Sequence, residues 1–95
     1  MKYLPSVPTS THSAGTCTIR SDDGSVSFTL APAPSGVFVE RVRLRNGTSR
    51  VVQSVLFTDD QSFQRWCDAD STRFEYPLVY VSLKRDGDAM FRRAA

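Results

Sequence analysis

From Thr16 to Leu30 apolar and polar residues alternate one for one. Cys17, Ile19, Val26, Phe28 and Leu30 fall on one side of an extended chain, and Thr16, Thr18, Arg20, Ser27 and Thr29 on the other. The Asp23-Gly24 dipeptide between the two runs is a hairpin signal, since tight two-residue turns need positive φ. That turn pairs Ile19 with Phe28 and Cys17 with Leu30, and both strands then agree on which side is core. One face is expected to be buried and the other wet.

A second hairpin follows from about Val37 to Phe57, turning at Asn46-Gly47. Its register sets Arg45 opposite Thr48, Arg43 opposite Arg50, Val42 opposite Val51, Arg41 opposite Val52 and Phe38 opposite Val55. The inner face is then Phe38, Val42, Leu44, Val51 and Val55. The other face is divided, with Val37, Val39, Val52 and Leu56 at its base and Arg41, Arg43, Arg45 and Arg50 together near the tip. Between the hairpins, residues 31–36 hold Pro32 and Pro34, which lack the amide donor a ladder needs, so a connector is expected.

Beyond Phe57 the period changes. Thr58-Asp59-Asp60-Gln61 has the form of a capping box with Thr58 as the cap, and Phe63, Trp66 and Cys67 make an apolar stripe at helical spacing. A helix over residues 59–69 is expected. Leu78 to Lys84 is apolar on both sides, which suits a central strand opened by Pro77, and Asp86-Gly87 signals a third hairpin with residues 89–92. Residues 1–14 mix Pro, Ser and Thr without periodicity and are expected to form a disordered tail ahead of one domain over residues 15–93. The predicted fold is α+β: an antiparallel sheet of three hairpins with one amphipathic helix on one face, in the order ββββαββ.

Composition adds limits. No apolar run approaches the roughly 18 residues of a membrane span, and Pro5, Ser6 and Pro8 interrupt any apolar leader, so a soluble cytoplasmic protein is expected. Two cysteines in that setting point to reduced thiols, and pairing between Cys17 and Cys67 stays open. Of 95 residues, 12 are Lys or Arg and 10 Asp or Glu, a formal charge of +2. Residues 36–57 hold four arginines against Glu40, which is +3, leaving −1 elsewhere.

That arginine hairpin is the one pronounced concentration of chemistry. Arg41, Arg43, Arg45 and Arg50 suit an anion such as nucleic acid, because arginine's planar fork matches phosphate. Two other roles compete: a charged edge that discourages strand-to-strand aggregation, and internal pairing. A helix of 11 residues spans about 17 Å and brings Asp68 or Asp70 level with Arg41, but hardly with Arg45. The stacking aromatics of a single-strand binder are missing, since Phe38 and Phe57 lie at the hairpin's base. Arg43 opposite Arg50 is a like-charge pair that costs stability unless something bridges it.

Other candidates are weaker. Cys67 as a nucleophile needs a histidine, and the sole one, His12, falls in the expected tail. Zinc would need two cysteines and His12 at scattered spacing, with no C-x-x-C. Asp22-Asp23, Asp59-Asp60 and Asp86/Asp88 fit turn and cap chemistry. No catalytic residue, cofactor or metal is expected. The functional expectation is a small non-enzymatic protein-interaction module that self-associates through an exposed sheet edge. Its alternatives are polyanion binding by the arginine hairpin and, third, a cysteine-dependent enzyme.

Overall fold

A computed structural model describes residues 8–94. It holds five strands, β1 (Thr9–Ser13), β2 (Thr16–Arg20), β3 (Val26–Ala33), β4 (Gly36–Arg45) and β5 (Thr48–Phe57), then α1 (Asp60–Ala69), a 3-10 turn (Ser71–Phe74) and α2 (Pro77–Ala94). The strands form one antiparallel meander in sequential order. This is the α+β class expected, with both helices on one face. The first predicted hairpin is present in its predicted register, Ile19 opposite Phe28 and Cys17 opposite Leu30. Only Gly24 in its turn is left-handed, at φ 74°, whereas Asn46 and Gly47 are both left-handed in the next.

Several expectations need correction. Residues 31–36 are no open connector, because β3 stays paired to β4 through Pro32 opposite Val37 and Ala33 opposite Gly36. Residues 9–13 of the predicted tail form β1, paired to β2 through a turn at Ala14 and Gly15, both at positive φ. Every β1 side chain is exposed, so no apolar alternation marks it, and ladder hydrogen bonds hold it instead. Residues 1–7 of that tail lie outside the described residues. The third hairpin is absent, because Pro77–Ala94 is one 18-residue helix. Pro77 takes the first helical position, where a missing amide costs nothing. Val79, Tyr80, Leu83 and Met90 are buried at helical spacing, while Leu78 and Val81 face outward. Gly87 is no turn residue: a Cβ there would collide with the Phe63 ring, so its bareness lets α1 and α2 approach closely. The order is therefore βββββαα. Last, α1 is capped by Asp59, not Thr58, with the Ser62 amide donating to Asp59 Oδ1 at 2.7 Å.

The core lies between sheet and helices. Cys17, Ile19, Val26, Phe28, Leu30, Val37 and Val39 rise from one sheet face to meet Phe63 and Cys67 of α1 and Val79, Tyr80, Leu83 and Met90 of α2. There the rings of Phe28, Phe57, Phe63, Trp66 and Tyr80 meet edge-on or tilted, with Phe28–Tyr80 and Phe57–Phe63 centroids both 5.4 Å apart, except for Phe63 and Trp66, which stack at 6.4 Å. Trp66, expected from the helix stripe to plug the core, is half-buried and packs against its margin.

Candidate functional site

The register near the tip of the arginine hairpin is the predicted one: Arg45 faces Thr48, Arg43 faces Arg50 and Val42 faces Val51. Below it a bulge intervenes. Arg41 pairs with Gln53 and Phe38 with Leu56, so Val52 is the extra residue and the partners expected for Arg41 and Phe38 move by one. On a strand a one-residue shift changes face. Val55 and Phe57 turn to the core, and Val51 and Leu56 to the uncovered side.

The four arginines do share a face, but it is the one that carries the helices. Phe28 stands opposite Arg41, Val26 opposite Arg43 and Leu30 opposite Val39. The predicted inner face is therefore inverted: Val37 and Val39 are buried and Phe38 is 36% exposed. Hairpin alternation alone was satisfied by either choice, since both sides of β4 carry apolar residues. Pairing with β3 decides it.

Arg41 consequently parts from the other three. Its guanidinium donates to Asp70 Oδ2 at 2.9 Å, to Thr72 Oγ1 at 2.8 Å and to Gln53 Oε1, and it lies 5.7 Å from the Phe28 ring centre and 6.0 Å from Trp66. Burial pushes the Asp70 carboxyl up. The Thr72 amide, the Arg41 charge and the Thr72 hydroxyl outweigh that and hold it below the usual carboxylate range. Next to this group the buried Tyr80 hydroxyl lies close to Asp70 and Thr72 but makes no well-formed hydrogen bond among the described residues, and burial pushes its pKa up. Asp68, the other acid placed level with Arg41, instead pairs with Lys84 at 2.6 Å.

Arg43, Arg45 and Arg50 have no ion-pair partner among the described residues. They line an open cleft of about 710 Å³ with Asn46, Val52 and Tyr76. Tyr76 comes from the link between the 3-10 turn and α2, and its hydroxyl is held by Ser25 in the β2–β3 loop. That loop is itself tied together by Asp23, which accepts from the Ser21 and Ser25 hydroxyls at 2.7 Å and from the Ser25 amide at 3.0 Å. An aromatic thus reaches the arginines from outside the hairpin, where no local sequence signal could place it.

The two sheet edges differ in character. β1 offers Thr9, Ser10, Thr11, His12 and Ser13, all polar. β5 offers Val51, Val52 and Leu56, which are 52%, 48% and 46% exposed, with Phe38 beside Leu56. The uncovered face divides likewise, into a Thr- and Ser-rich half on β1–β3 and an apolar strip on β4–β5.

Both thiols are free and buried. Burial pushes Cys67 up to about 12, and burial with the adjacent Asp86 carboxylate pushes Cys17 up to about 11. A nucleophilic thiol needs the opposite shift. His12 reaches neither the helix stripe nor Cys67; it stands opposite Cys17 on the neighbouring strand. Among the described residues no helix is long and apolar enough to cross a membrane. No protein-family model, curated protein or solved structure matches this chain.

Proposed function

We propose that this chain is a non-enzymatic protein-interaction module that pairs with a second copy of itself along β5. The observation that carries this is the contrast between the edges: β1 is polar throughout, whereas β5 is 10 residues long, holds one charge and exposes Val51, Val52 and Leu56. Edge strands are usually blunted by lysine, proline or short length. β5 has only Arg50 and the Val52 bulge.

A second copy fits this edge on charge. In an antiparallel pair the two arginine tips point to opposite ends, and ten residues at about 3.4 Å each separate them by roughly 30 Å, well beyond a Debye length of about 8 Å. The interface closes on itself as a two-fold, and the strip of Phe38, Val42, Val51 and Leu56 runs on across both copies. Light scattering should return twice the 10.6 kDa chain mass, and Leu56→Lys should return the monomer with unchanged circular dichroism. A wild-type monomer at high micromolar concentration would refute the proposal.

A second reading rests on Tyr76. With Arg43, Arg45 and Arg50 around it, the cleft has both parts of a site for single-stranded nucleic acid, a cationic wall and a ring. Binding to single-stranded DNA or RNA should weaken steeply between about 50 and about 200 mM salt. Absence of binding at low salt removes this reading and leaves the first intact.

A further inference from the structure

Three ligand-bearing side chains meet where the β1–β2 hairpin passes α2. His12 and Cys17 are direct partners across that hairpin, on the face turned toward the helices. Asp86 comes down from α2, and the Cys17 thiol donates to its Oδ2 at 3.5 Å. One ligand atom from each of the three lies within 4.8 Å of the others. Tetrahedral zinc, with bonds of about 2.0–2.3 Å, wants neighbouring ligands roughly 3.3–3.8 Å apart, which a small turn of the exposed His12 ring would supply.

We propose that His12, Cys17 and Asp86 form a binding site for a borderline-soft divalent cation, with zinc the natural occupant. The donor set selects for it: an imidazole and a thiolate favour zinc over magnesium or calcium, which take oxygen. Binding releases the Cys17 proton to solvent, and thiolate plus carboxylate then balance the ion's two charges. Asp86 is already oriented, accepting from Ser10 Oγ at 3.4 Å and from Arg85 Nε at 3.3 Å, the kind of outer support that fixes a ligand's direction. Arg93 also lies near Cys17 and lines a neighbouring cleft of about 490 Å³ together with His12 and Met90. Arg85 and Arg93 lower the affinity for any cation, so a three-ligand site of moderate rather than structural strength follows. Cys17 is fully buried and His12 exposed, which makes the histidine the ligand that closes over the ion and leaves the fourth position to water.

The test uses the untagged full chain, reduced and stripped of metal, titrated with Co²⁺ and then Zn²⁺. One equivalent of cobalt should give the near-ultraviolet band of a thiolate-bound ion with the visible bands of a tetrahedral one, and zinc should abolish both. His12→Ala, at an exposed strand position that leaves the core intact, should weaken zinc at least tenfold by calorimetry. Cys17→Ser should lose the thiolate band, and Cys67→Ser should keep it. No thiolate band in the wild type, a band that survives Cys17→Ser, or unchanged zinc affinity in His12→Ala would each overturn the proposal.

Discussion

The guanidinium of Arg41 and the carboxylate of Asp70 stand 2.9 Å apart, their side chains only 14% and 10% exposed. The pair joins the middle of β4 to the C-terminal end of α1, and Thr72 of the 3-10 turn binds both partners. Taking one partner from a buried ion pair leaves the other charge without compensation, which is where the large costs arise. Asp70→Asn should therefore destabilise the fold by about 3 kcal/mol in urea denaturation. A loss under about 1 kcal/mol would mean that solvent already screens the pair.

Acid stability follows from the same carboxyl and from Asp23. The Ser25 amide and the Ser21 and Ser25 hydroxyls lower Asp23 to about 2, and Asp70 is also lowered. A carboxyl depressed in the folded state is stabilising above its unfolded value of about 3.9, and that contribution disappears as pH falls through the folded value. Stability should fall from pH 4 toward about 2. Asp70→Asn should flatten part of that slope, and an unaltered slope in this variant would assign it to other carboxyls.

Gly87→Ala gives a sign reversal. At an ordinary helix-interior position the change stabilises by about 1 kcal/mol. Here the new Cβ meets the Phe63 ring, so overpacking should cost about 1–3 kcal/mol net, seen as a lowered Tm. Combining it with Phe63→Leu should return part of the loss. If the double variant is no better than the sum of the single ones, the clash is not the cause.

Cys67 should resist thiol reagents in the native state. It is 1% exposed, and its thiol is raised to about 12, so only a minute thiolate fraction exists at pH 8. Labelling should track global unfolding and accelerate with urea. Rapid native-state labelling at Cys67 would restore the cysteine-enzyme alternative.

Arg43 and Arg50 face each other across the hairpin, and neither forms an ion pair among the described residues. Arg50→Thr should raise stability by about 0.2–1 kcal/mol and, if the cleft takes nucleic acid, reduce the salt slope of binding by about one phosphate contact. A fall in stability would point to an anion already bridging the pair.

Much was determined by the sequence alone. Alternation from Thr16 to Leu30 set the first hairpin and its core face, Asn46-Gly47 fixed the register at the arginine tip, and the Phe63, Trp66 and Cys67 stripe located α1. These are local signals, in which neighbours along the chain agree on one geometry. The rest depended on contacts between distant segments. Leu78 to Lys84 suits strand or helix equally well, and packing of Gly87 against Phe63 favours the helix. β1 has no apolar code and exists through pairing with β2. The choice of face for all four arginines came from β3, and on that shared face Arg41 meets Asp70 while Arg43, Arg45 and Arg50 line the open cleft nearer the tip. Tyr76 beside those arginines, and Asp86 beside His12 and Cys17, lie too far along the chain for any spacing rule to join them.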